Sequence, residues 1–151
     1  MTNLNPQSTA KIAGHPIHPM LIPFPIVFFV STFACDLVSR TSDSAFWPQA
    51  SVLLLGAGLV TAGLAALAGL TDFLGSRAIR AIRVVWWHMI GNVLAVVLEL
   101  VNFLMRIGYP EATPGDAAVG LSGLVVLLLL FNGWMGWELV YRHRVGIAEQ
   151  R

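Results

Sequence analysis

What most limits the fold of this chain is where its charges are missing. Residues 12–35, 44–71 and 117–137 contain no Asp, Glu, Lys or Arg, and residues 84–105 contain only Glu99. Each stretch is near or above the roughly 20 residues that cross a bilayer as an α-helix. The expected fold class is therefore all-α: a polytopic membrane protein with four transmembrane helices. The spans fall at about 20–39, 50–73, 84–106 and 117–141, within one domain covering 1–151. The connections Ser39–Pro48, Leu74–Arg83 and Gly108–Asp116 are short and carry turn residues such as Pro110, Pro114 and Gly115. Short connections make consecutive helices antiparallel neighbours, which gives an up-down four-helix bundle.

Composition excludes the alternatives. Charged residues are 11% of the 151 and hydrophobic ones 56%, against roughly 25% charged in an average soluble domain. Disordered chains are polar and charged, so disorder is excluded as well. A net charge of +1 with no broad basic face argues against nucleic acid as a partner. The partner to expect is the lipid bilayer. The single cysteine, Cys35, allows neither a disulfide framework nor a Cys-based zinc site.

The first apolar run starts after about twenty polar and Pro-rich residues, with no small-residue cleavage pattern behind it. Thr32-Phe33-Ala34 before Cys35 lacks the Leu of a lipoprotein acceptor, so the first run is read as a true span. Lys11, Arg77, Arg80, Arg83, Arg142, Arg144 and Arg151 fall on one side of the bundle, and Arg40 and Arg106 on the other. That asymmetry predicts an inner-membrane protein with both termini in the cytoplasm.

All four histidines then fall at the cytoplasmic end. His15 and His18 precede the first span, His88 lies about one turn into the third, and His143 follows the fourth. Asp72 and Glu138 sit at the same depth. Ionisable groups within membrane helices face the bundle interior or a polar cavity. This inventory could ligate a metal ion or a haem iron. The candidate cofactor ligands are His15, His18, His88 and His143, with Arg77, Arg80 and Arg83 available for carboxylates such as haem propionates. For a lone Zn, Fe or Mn ion the candidates are His18, His88, His143, Asp72 and Glu138.

In His15-Pro16-Ile17-His18-Pro19 each histidine precedes a proline, which pushes it out of the α region. In a polyproline-like conformation the imidazoles would point the same way, roughly 9 Å apart, too far to share one ion. His18 has a second reading, as the cap of the first helix with Pro19 at its first position. Pro23 and Pro25 cannot both lie in a regular helix interior, so the first span should start irregularly or kink there.

On the third span His88, Asn92, Glu99 and Asn102 share about 80° of arc and should face the bundle interior. Glu99 lies about 16 Å along the axis from His88, beyond a common ligand shell. Its candidate partners are Asp36, if one of the two carries a proton, and Arg40 or Arg106; the plain reading is an interhelical hydrogen bond. On the second span Gly58, Ala62, Ala65 and Gly69 lead to Asp72 along one face. Small faces let helices approach closely, within the bundle or between protomers of a homo-oligomer. Asn132, Gly136 and His143 share a face of the fourth span if the helix reaches that far. Trp86, Trp87, Trp134, Trp137 and Tyr141 read as an interfacial aromatic belt.

Together GHPIHPMLIPFPIVFF (14–29), TDF (71–73), His88 and GWMGWELVYRHRVG (133–146) resemble a bacterial transmembrane family catalogued as domain of unknown function 2231. The resemblance spans nearly the whole chain. It implies a four-span inner-membrane protein without an assigned activity, and occasional fusion of similar members to Rieske or cytochrome-type domains hints at redox work. The family pattern maps onto His15, Pro16, His18, Pro19, Pro23, Pro25, Asp72, His88, Gly133, Gly136, Glu138 and His143. Trp137 and Arg144 stand where members often carry glycine.

Three functions follow from these residues. The first is a b-type haem protein passing electrons between quinone-linked or other redox partners, with His88 and either His18 or His143 as axial ligands. The second is a membrane metal-binding or permeation protein. The third is a non-catalytic assembly module using the 58–69 face. A hydrolase or transferase is not supported: Cys35 lies beside Asp36, without the electropositive setting of a reactive thiolate. No Ser/His/Asp arrangement or phosphate loop is visible.

Overall fold

The computed structural model describes residues 5–147. The chain runs through β1 (Lys11–Ile12), β2 (His15–Pro16), α1 (Ile17–Leu21), α2 (Pro23–Ser39), α3 (Phe46–Gly75), α4 (Arg77–Arg80), α5 (Arg83–Arg106) and α6 (Asp116–Trp137), then a π-helical turn, Glu138–Arg142. Four segments are long and apolar enough to cross a membrane: Ile17–Ser39, Phe46–Gly75, Arg83–Arg106 and Asp116–Arg142. The expected four-span bundle is thus what forms. α2 packs on α3 and α6, and α5 packs on α6 and α3, which closes a ring of four helices.

The helices expose apolar side chains and bury small and polar ones. Leu53, Val60, Leu67 and Leu74 repeat every seven residues along one exposed face of α3. Leu127, Leu130, Phe131 and Trp134, at i, i+3, i+4 and i+7, form an exposed face of α6. Phe29, Leu55, Ala62, Ala95 and Val125 form the apolar centre. Lipid tails are as apolar as leucine, so association rests on close packing and interhelical hydrogen bonds.

Helix starts follow proline chemistry. The first span is interrupted at Ile22, with Pro23 at the start of α2, as the proline pair predicts. Pro48 lies in the first turn of α3, where its missing N–H has no partner to lose. For that reason α3 begins at Phe46, ahead of the expected 50. Pro16 caps α1, so His18 is helical; it is neither extended nor the cap.

Two short strands, unanticipated in the sequence, pair antiparallel before α1, with Lys11 opposite Pro16 and Ile12 opposite His15. Ala13 and Gly14 turn between them at φ of 49° and 83°, the positive values that two-residue hairpin turns require. At the other end of the chain the His143 N–H bonds to the Glu138 carbonyl at 3.1 Å and the Val145 N–H to the Leu139 carbonyl at 3.0 Å. The wider π-type ring ends regular α6 at Trp137, so the Asn132–Gly136–His143 face of a continuous helix does not exist.

Candidate functional site

Two polar centres lie at opposite ends of the bundle. At the first, His18 on α1 leans against α3. Its Nδ1 lies 2.8 Å from the Ala65 carbonyl. Gly69 makes room for the ring: a Cβ there would sit 3.0 Å from Nδ1. His88 on α5 leans in the same manner against α6, with Nδ1 3.1 Å from the Asn132 carbonyl and Gly136 under the ring. A carbonyl accepts, so each Nδ1 carries the proton, and a neutral ring then leaves its lone pair on Nε2. Neither Nε2 has a hydrogen-bond partner among the described residues.

α5 and α6 are held in that register by side-chain amides. Asn132 Nδ2 on α6 donates to Asn92 Oδ1 on α5 at 3.5 Å, while Asn92 Nδ2 donates to the His88 carbonyl of its own helix at 2.8 Å. Gly91 lets Asn132 approach so closely that a Cβ would overlap its Oδ1 at 2.2 Å.

The remaining candidates stand elsewhere. His15 is exposed on the hairpin, with Nδ1 3.0 Å from the Ala13 carbonyl. His143 is exposed just past the π-helical turn. Glu138 pairs with Arg142 at 2.9 Å. Arg80 donates to the Phe73 and Leu74 carbonyls that end α3, while Arg77 and Arg83 are exposed at the same end. Among the described residues no three His, Cys, Asp or Glu gather as a metal-binding group.

Asp72 holds the N-terminal segment instead. Its Oδ1 accepts from Ser8 Oγ at 2.8 Å and from the Thr9 and Ala10 N–H groups at 2.7 Å each. The same segment reaches the chain's last described residues, where the Gly146 N–H donates to the Pro6 carbonyl at 2.9 Å. Asp72→Ala removes the acceptor of charge-assisted bonds, at about 1.5–3 kcal/mol. Hydrogen exchange at Thr9 and Ala10 should accelerate by one to two orders of magnitude; unchanged protection would show that the clasp does not depend on Asp72.

The small face of α3 is also used within the chain. Phe29 fills the space over Gly58, where a Cβ would lie 2.4 Å from its ring, and His18 covers Gly69. Ala62 and Ala65 are buried. In this fold α1 and α2 occupy the face of Gly58, Ala62, Ala65 and Gly69, so its close packing lies within the chain.

The second centre lies at the opposite end. Arg106 Nη2 lies 2.8 Å from Asp36 Oδ1, and Nη1 lies 3.3 Å from Oδ2. Ser51 from α3 donates to Asp36 Oδ1 at 2.5 Å, and Ser122 from α6 to Oδ2 at 2.7 Å. Arg106 also donates to Ser51 at 2.8 Å. Asn102 Nδ2 donates to Ser122 Oγ at 2.9 Å and to Glu99 Oε2 at 3.0 Å. Asp36, Ser51, Glu99, Asn102 and Ser122 are fully buried, and Arg106 is 6% exposed. Of the partners considered for Glu99, Arg106 is taken by Asp36 and Arg40 by Asp116. Glu99 reaches Asp36 only through Asn102 and Ser122. Ser51 and Ser122 were not recognised from sequence; their signal is a hydroxyl in an apolar span at the depth of Asp36 and Arg106.

A sequence model of the family described as predicted membrane protein (DUF2231) matches residues 14–149. No curated protein and no solved structure matches the chain.

Proposed function

The chain belongs to this DUF2231 family of predicted membrane proteins, and on that footing we propose that it binds a b-type haem through His18 and His88. The cofactor would lie at the cytoplasmic end of an inner-membrane bundle whose termini both face the cytoplasm, and serve electron transfer with a quinone or a redox protein. One observation carries this reading: two imidazoles on different helices, each fixed through Nδ1 to a helix carbonyl, each with Nε2 unpartnered among the described residues. Such an Nδ1 bond fixes the tautomer and orients the ring of a ligating histidine.

The ligand count favours haem over a lone ion. Haem iron takes four nitrogens from the macrocycle and needs only two axial ligands from the protein. Structural zinc takes four protein ligands and catalytic zinc three, and no third donor gathers here among the described residues. A bound haem supplies a one-electron couple. The chain's own share is to hold the two rings, with Gly69 giving the His18 ring its space, and to offer Arg77 and Arg83 to carboxylates at that end.

Absorption spectra of protein purified in detergent after expression with ample haem test this. A Soret band that shifts on dithionite reduction is expected, lost in His18→Ala and His88→Ala and retained in His15→Ala and His143→Ala. A colourless wild-type protein, or a spectrum unmoved by His18→Ala and His88→Ala, overturns the reading.

A further inference from the structure

The buried network at the far end holds two carboxylates, Asp36 and Glu99, and one cation, Arg106. Asp36 is saturated, taking two donors from Arg106 and one each from Ser51 and Ser122. Glu99 is not: one oxygen accepts from Asn102, while Glu99 Oε1 and Asn102 Oδ1 have no partner among the described residues. The charges that act on Glu99 are Asp36 from α2 and Arg106 from its own helix. α3 and α6 contribute the neutral Ser51 and Ser122. Cys35 is a buried thiol beside Asp36. Arg40 and Asp116, at the surface, neutralise one another.

A buried network with an excess negative charge and two acceptors lacking donors is short of one positive charge and one donor. Leaving an ion uncompensated at membrane depth is costly, and so is leaving buried acceptors unpaired. We propose that Glu99 is an intramembrane proton-binding site, holding one exchangeable proton at neutral pH. A single proton answers both shortages. A hard metal cation answers them less well, since such ions collect six or more oxygens and the unpartnered oxygens here number two. A hollow of about 240 Å³ at this end, lined by Arg106, Tyr109, Thr113 and Ala118 among others, reaches the network from outside. Hydrogen bonds continue from Arg106 through Asp36, Ser122 and Asn102 to Glu99.

Difference infrared spectroscopy of the purified protein, in H₂O and D₂O, tests the assignment. At neutral pH a protonated-carboxyl C=O band should be present, shift to lower frequency in D₂O, be lost in Glu99→Gln and reappear displaced in Glu99→Asp. Replacing choline chloride by sodium chloride should leave it unchanged. The proposal fails if the wild type shows no such band, if sodium abolishes it, or if it survives in Glu99→Gln. The wild-type isotope shift and sodium arm decide the matter even if a variant does not fold.

Discussion

Arg106→Met should lower the stability of the bundle by about 3–5 kcal/mol, the cost of leaving a buried charge without its partner. Asp36 would keep Ser51 and Ser122 but lose the only cation it touches among the described residues. The double variant Arg106→Met/Asp36→Leu should recover much of that loss, because apolar residues of similar volume often replace a buried ion pair at little cost. Arg106→Lys should not recover it: one ammonium cannot bridge both carboxylate oxygens and Ser51 as the guanidinium does. Equilibrium unfolding in mixed micelles, followed by tryptophan fluorescence, measures the series. An Arg106→Met protein within about 1 kcal/mol of wild type, well below the range for a broken buried pair, would mean that the pair does not hold the bundle together.

Phe29→Ala should cost about 3–5 kcal/mol, within the range for emptying a buried aromatic site. The ring is 1% exposed and packs at the centre with Leu55, Ala62, Ala95 and Val125. Lipid dissolves apolar side chains as readily as the core does, so this loss is mainly one of packing contacts. Gly58 lies directly against the ring, which makes the two positions a size-complementary pair. Gly58→Leu alone overpacks the contact and should destabilise by about 1–3 kcal/mol. Combined with Phe29→Ala it fills part of the vacated space, so the two costs should fall short of additivity by about 0.5–3 kcal/mol. Thermal unfolding of the four proteins in one detergent closes the cycle, and strict additivity would disprove the contact.

The spans were legible because the absence of charge over about twenty residues is a one-dimensional property that the bilayer imposes. The inward stripe on the third span was legible for a related reason: one helix has a fixed angular repeat, and Glu99 and Asn102 prove fully buried. What periodicity cannot give is the rotation of one helix relative to the next. Whether Glu99 meets Asp36 or Arg40, and which carboxylate Arg106 reaches, depends on that rotation. The outcome, Arg106 to Asp36 and Arg40 to Asp116, joins residues 70 and 76 positions apart. The same limit hid the role of Asp72. Its depth was readable, but its partners, Ser8 to Ala10, lie more than 60 residues away. The 58–69 face is legible in the sequence as a close-approach surface, but the helix that approaches it is not; it is the chain's own first span.

The π-helical turn at Glu138–Arg142 is equivalent to an α-helical turn carrying one surplus residue. Each residue of an α-helix advances the azimuth by about 100°, so that surplus sets the direction in which the chain leaves the bundle. A one-residue deletion at Val140 would regularise the helix and swing everything after it to another side. Gly146 would then lose Pro6, and Val145 its place beside Phe73, Ile79 and Val85. Length at this turn acts as an angular setting, and substitution there should be tolerated far better than insertion or deletion.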